Sequence, residues 1–217
     1  MVNLGILVSG GGTNLQAIID SIEANRLDAS IRLVFSNNPN AYALDRARRH
    51  GLPSKVLLKE DFPSREAYDN EAVKALKDSG VELVILAGFM RLITKPFLDA
   101  FPMRIMNIHP SLLPSFPGLD VQKKAVEWGV KFSGCTVHFV DEGLDSGPII
   151  IQAVVPVLED DTPEILSQRI LKEEHRIYPQ AIQLFSEGRL EVKGRRVFVR
   201  DGHADAGPLE NPRVTIF

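Results

Sequence analysis

Three side chains have the types and surroundings to stabilise a developing oxyanion. Asn107 and His109 lie in "RIMNIHPSLLPSFPG" (104–118), and Asp145 lies in "DEGLDSGPI" (141–149). An amide that donates, beside an imidazole that donates or relays a proton, suits the oxygen of a tetrahedral intermediate. A carboxylate close to that imidazole would stabilise its charged form and raise its pKa. Each residue also has a plainer use. Asn-x-His can be a satisfied pair that closes a loop, and Asp145, between Gly143 and Gly147, suits an ordinary turn. Spacing alone does not bring the two segments together.

The elements that would position these groups follow from hydrophobic periodicity. In an extended segment over 104–109, Ile105, Asn107 and His109 share one face, with Met106 and Ile108 on the other. The polar pair then sits at the carboxyl end of a sheet strand, where open α/β folds bind ligands. Prolines at 110, 114 and 117 restrict the loop that follows. Upstream, apolar runs at 3–9, 31–36, 54–58 and 81–88 alternate with helical patterns at 14–25, 41–50 and 64–79, and a short helix is expected from Thr94. That alternation predicts an α/β fold with a doubly wound, mostly parallel sheet. Downstream, the strand-like runs 133–140 and 148–157 are too close for a crossover helix and should pair antiparallel or lie at an edge. A long helix starts with Thr162 as N-cap and Pro163 at its first position. A hairpin turning at Lys193-Gly194 and a loosely ordered tail from Asp201 complete the chain. With no repeat or clear linker, one domain is expected: a phosphate-binding half (1–100), a catalytic half (101–190) and a C-terminal hairpin and tail (191–217).

"SGGGTN" (9–14) joins the first strand to the first helix. Glycines there let the backbone approach a ligand, and the helix N-terminus supplies free N–H groups, so the loop is a candidate anion site. The same glycines also suit a tight turn with no ligand. A dinucleotide site is a poorer fit: Gly10, Gly12 and Leu15 match the fingerprint only in part, and the second strand ends in Ser36-Asn37-Asn38 without a carboxylate. A bound monophosphate fits better, with Thr13 and Asn14 as further donors.

Composition narrows the classes. A net charge of −3 and a pI near 6.0 give no support for a nucleic-acid surface. The run Arg46, Arg48, Arg49, His50 reads as the solvated end of a helix. One cysteine, Cys135, precludes an internal disulfide and points to a reducing cytoplasm; it reads as a small buried hydrophobe rather than a nucleophile. The N-terminal stretch has neither a basic n-region nor the length of a signal or membrane segment. The five histidines (50, 109, 138, 175, 203) lack metal-ligand spacing, so no metal is expected. His138 shares a face with Thr136 and Val140, and fits either the same crevice or a satisfied core position.

Together, "SGGGTNLQAII", "FSNN", "SREAYD", "LAGFMRLI", "NIHPSLLPSFPG", "TVHFV", "LDSGPII" and "EEHRIYP" resemble the phosphoribosylglycinamide formyltransferase family, folate-dependent enzymes of purine biosynthesis, over roughly residues 3–190. The N-x-H-P-S-L-L-P segment with the later Asp is shared by methionyl-tRNA formyltransferase and formyltetrahydrofolate deformylase. The narrower resemblance rests on the glycine loop and on a length that leaves no room for a tRNA-binding or regulatory domain. Gly11 stands where relatives often carry another residue, which leaves the backbone cradle intact. The resemblance implies a Rossmann-like formyltransferase fold and 10-formyltetrahydrofolate as co-substrate, with glycinamide ribonucleotide as acceptor. It implies that Asn107 and His109 hold the oxyanion while Asp145 keeps His109 charged. Gly12, Thr13, Asn14 and Glu174 would hold the ribonucleotide. Arg65, Met90, Arg91, Leu92, Ile93, Asn107, Asp141 and Asp145 would line the folate site. Small molecules are the only partners expected, with no nucleic acid and no membrane, from a monomer or homodimer. Two rivals stay open: a deformylase, in which water is the nucleophile, and a non-catalytic nucleotide-binding module.

Overall fold

A strand such as Leu83–Leu86 has no polar face to offer water, so the sheet it joins must be covered on both sides. The computed structural model, which describes residues 1–202, meets that requirement. β1 (Val2–Val8), β2 (Ala29–Ser36), β3 (Ser54–Val56), β4 (Leu83–Leu86) and β5 (Ile105–His109) run parallel. β6 (Phe132–Phe139) pairs antiparallel with β5, and β7 (Ile149–Pro156) antiparallel with β6. The hairpin β8 (Leu190–Lys193) and β9 (Arg196–Val199) closes the far edge. Among the described residues the sheet has nine strands, in the order β3-β2-β1-β4-β5-β6-β7-β9-β8.

The connections hold α1 (Thr13–Glu23), α2 (Tyr42–Arg49), α3 (Arg65–Asp78), α4 (Lys95–Ala100), α5 (Val121–Glu127) and α6 (Pro163–Ser186). Leu15 and Ile18 of α1, Ala43 of α2, Ala125 of α5 and Ile170 and Ile177 of α6 bury against Leu4, Ile6, Met106 and Val137 on one face. Tyr68 and Leu76 of α3 and Phe97 of α4 bury against Leu7, Val84 and Ile105 on the other. The hydroxyl of Tyr178, buried on α6, lies 2.9 Å from the carbonyl oxygens of both Leu86 and Met106, which pins α6 beneath the end of β4 and the start of β5. Thr162 caps α6 as expected, its side chain accepting from Ile165 N at 3.3 Å.

Two local features differ from the periodicity reading. β3 stops at Val56, short of the expected Leu58, and leads to a 3-10 turn over Lys59–Asp61. Helix α5 was not expected from the sequence: it buries only Val121 and Ala125, and Asp120 before it is left-handed (φ 57°) with no side-chain cap bond. Such a helix shows neither a cap signature nor a wide apolar stripe. The tail beyond residue 202, expected to be loosely ordered, lies outside the described residues. Among those described, no helix is long and apolar enough to cross a membrane.

Candidate active site

The strand order reverses between β1 and β4, so the loops after these strands diverge and leave a crevice at their carboxyl ends. The glycine loop forms one wall. Gly12 has φ 68°, and a Cβ there would stand 2.6 Å from the Ala43 Cβ, so only glycine permits both the turn and the approach of α2. A Cβ on Gly10 or Gly11 would meet nothing within 4 Å, which leaves the outer side of the loop open above the first turn of α1. Arg46 braces the loop from behind: its Nε donates to the Gly11 carbonyl at 2.9 Å and its Nη1 to Gln16 Oε1 at 3.0 Å. The reading of this basic run as a solvated helix end therefore needs correction at Arg46, although Arg48 and Arg49 are exposed. Helical spacing could not show it, because the partner is loop backbone brought close by the missing side chain of Gly12.

Asn14 and Glu174 meet from opposite ends of the chain. Asn14 Nδ2 donates to Glu174 Oε2 at 2.7 Å, across 160 positions of sequence, and each residue is only 8% exposed. Burial pushes the Glu174 carboxyl above the usual range, and the bond from Asn14 works against that shift. Asn14 Oδ1 is buried with no hydrogen-bond partner. A polar pair with an unused acceptor beside the glycine loop suits a ligand that carries donors.

The second polar cluster stands on the sheet face away from α6. Asn107 lies opposite His138 and His109 opposite Thr136 in the β5–β6 register, while Met106 and Ile108 turn to the α6 core. Thr136 Oγ1 donates to Ser111 O (2.7 Å) and accepts from Leu113 N (3.1 Å), so β6 anchors the proline loop over this face. His109, 5% exposed, has both ring nitrogens turned to acceptors: Nε2 is 2.9 Å from Phe116 O, and Nδ1 is 3.4 Å from Asp145 Oδ2. Asp145 is itself held, accepting from Gly118 N at 2.9 Å. The backbone explains how a residue so far downstream returns to β5. Asp145 is left-handed (φ 48°), and at Gly147 a Cβ would lie 1.8 Å from Phe139 O, so the loop folds tightly onto the end of β6. His138, left open between crevice and core by the sequence, belongs to both: Nδ1 is 2.8 Å from Phe139 O, and Nε2 is 3.2 Å from Asn107 Nδ2.

Residues 88–94 form the other wall. Met90 N donates to Ser9 Oγ at 2.9 Å, joining this segment to the glycine loop. Asp69 accepts from Thr94 N (2.9 Å) and Thr94 Oγ1 (2.7 Å) and fixes the other end to α3. Between these anchors Met90 and Leu92 are 70% and 62% exposed, Arg91 lies 3.9 Å above the Tyr68 ring, and Ile93 packs on the α3–α4 core. Arg65 is exposed at the start of α3, one turn before Tyr68 and Asp69. Asp141 turns to its own loop, accepting from Gly143 N (3.1 Å) and Ser146 Oγ (2.6 Å), rather than to His109. Among the described residues no three His, Cys, Asp or Glu side chains are grouped to hold a metal ion. Cys135 is fully buried on the α6 face, and burial pushes its thiol up to about 12.

The sequence model of the family described as formyl transferase matches residues 2–182. The chain belongs to the formyl transferase family. Among solved structures, this formyl transferase is similar to glycinamide ribonucleotide transformylase 1 from Symbiobacterium toebii, with 56% identity, a TM-score of 0.91, and coverage of 92% of this chain and 94% of that one. It is 44% identical over 191 residues to the phosphoribosylglycinamide formyltransferase of Escherichia coli (strain K12), covering 88% of this chain and 90% of the relative. It is 51% identical over 187 residues to the trifunctional purine biosynthetic protein adenosine-3 of Drosophila melanogaster; that match takes in 85% of this chain but spans only 14% of the fly protein's length.

Proposed function

We propose that this formyl transferase moves the formyl group of 10-formyltetrahydrofolate onto the glycine amine of glycinamide ribonucleotide, a step in purine biosynthesis. The names of the bacterial relatives support the reaction. The observation that carries the reading is the meeting of Asn107, His109 and Asp145 beside a crevice whose far wall is an open glycine loop backed by Arg46. A module that only binds nucleotides has no use for the first group, and a deformylase has no use for the second.

Bound 10-formyltetrahydrofolate supplies the one-carbon unit. The exposed Met90 and Leu92 offer apolar walls for its flat ring, with Ile93 beneath, and Arg65 and Arg91 add positive charge at the rim. Asp141 shapes the loop that carries Asp145. Gly12, Thr13 and Asn14 present the first turn of α1 to the ribonucleotide phosphate, and Glu174 completes the site through its bond to Asn14. As the amine attacks the formyl carbon, Asn107 and His109 donate to the oxygen that gains charge. His109 must exchange the Phe116 carbonyl for that oxygen, since its Nε2 faces Phe116 O. The amine gives up a proton as the tetrahedral adduct forms. As the carbonyl re-forms and the carbon–nitrogen bond to folate breaks, His109 passes a proton to the departing nitrogen, so the net transfer is from amine to folate. Asp145 holds the ring oriented throughout. All partners in this scheme are small molecules. The single buried cysteine suits a reducing cytoplasm.

The test is formyl transfer followed through the folate chromophore, with glycinamide ribonucleotide present or absent. Turnover that requires the ribonucleotide supports the reading. Formate release without it indicates the deformylase, and phosphate-ligand binding without transfer indicates a non-catalytic module.

A further inference from the structure

We infer that His138 is a positioning residue for this transfer: it dictates which end of the Asn107 amide faces the reacting carbonyl. The inference rests on the formyl-transfer role proposed for Asn107. It begins with hydrogen-bond logic. His138 Nδ1 lies 2.8 Å from the Phe139 carbonyl oxygen, which can only accept, so Nδ1 carries a hydrogen. In the neutral ring, Nε2 is then a bare acceptor. It stands 3.2 Å from the Asn107 side chain, directly across the β5–β6 pair, so Asn107 must turn its NH2 group and not its oxygen toward His138. One N–H is used there. The other stays available to an oxyanion, and the amide oxygen is kept from meeting the formyl oxygen as a like dipole.

The surroundings favour the neutral ring. His138 is 2% exposed, and its burial holds the pKa below the ordinary 6.5. From the loop after β6, Asp145 Oδ1 at 3.9 Å and Asp141 favour the charged ring, Asp145 being too distant for a hydrogen bond. From β5, His109 opposes it. β7 contributes the uncharged Ile149 opposite His138. If the ring takes up a proton, Nε2–H becomes a donor and Asn107 must rotate its oxygen inward, which removes the oxyanion donor.

A double-mutant cycle with Asn107→Ala tests this. His138→Leu, which removes the acceptor, should lower kcat by about tenfold to a hundredfold, less than or equal to the loss of the donor itself, with both KM values within about twofold. His138→Gln, which restores an acceptor, should recover most of the loss. In the Asn107→Ala background, His138→Leu should cost less than about twofold. Equal loss in both backgrounds, or no recovery with Gln, overturns the inference. Should the Leu variant fail to fold, the acid limb of kcat decides: it should be reduced in His138→Gln, whose side chain does not titrate, and its persistence unchanged overturns the inference. Failure of the parent enzyme to formylate the ribonucleotide is a separate result, and it removes the proposed function instead.

Discussion

Removing the Asn107 amide takes one donor from the proposed oxyanion site and almost nothing from the core. Asn107→Ala should lower kcat by about 10²- to 10³-fold, while leaving His138 Nε2 unpaired at a cost of about 1 kcal/mol; steady-state kinetics beside a thermal melt separate the two effects. Glu174 behaves in the opposite sense. Its pKa is raised in the folded state, so the stability linked to it is fully present below the unfolded value of 4.5 and is lost as pH rises through the folded value. Glu174→Gln, which keeps an acceptor for Asn14, should therefore raise Tm at neutral and alkaline pH, with the gain shrinking in acid, while weakening ribonucleotide binding. A melt series across pH together with ligand titration checks both halves; an equal Tm shift at every pH would contradict the assignment. Of these residues, Asn107 and His109 were legible because strand alternation puts them on one face at a carboxyl end. Glu174 was not, because a carboxylate in a helix full of charged neighbours has no mark of burial until α1 packs against it.

At the scale of elements, the glycine loop and α2 act as one unit. Gly12→Ala introduces a left-handed alanine, costing about 1–2 kcal/mol, and drives its Cβ to 2.6 Å from Ala43. We expect a Tm lower by several degrees and loss of phosphate-dependent binding, measured by melting and by titration with the ribonucleotide. Gly11→Ala meets open space and should melt close to the wild type, which makes it the matched control. The strands, the mostly parallel sense of the sheet and the cap at Thr162 were readable because burial on both faces and N-cap chemistry leave local patterns. Helix α5 left none, since only two of its residues reach the core. The bracing by Arg46 was equally hidden: a side chain bonded to backbone of another loop looks, in sequence, like any charge on a helix end.

At the scale of the molecule, the core around Cys135 opens only when β5, β6 and α6 separate. Its thiol, pushed up to about 12 and fully buried, should react with a thiol-specific reagent at the rate of global unfolding, not at that of an accessible cysteine. Labelling in rising denaturant checks this; rapid labelling of the native protein would show that the sheet breathes at β6. Whole-molecule folding is also where the proposed catalytic geometry arises. By itself the sequence determined the α/β class, the strands, the glycine loop and the polar pair at the end of β5, because periodicity and turn chemistry act between near neighbours. Only the tertiary structure decided that Asp145 returns to His109, that Asn14 reaches Glu174 and that His138 faces Asn107. Those contacts depend on loop closure and strand register, which place residues far apart in the chain within hydrogen-bonding or ion-pair reach and leave no periodic trace.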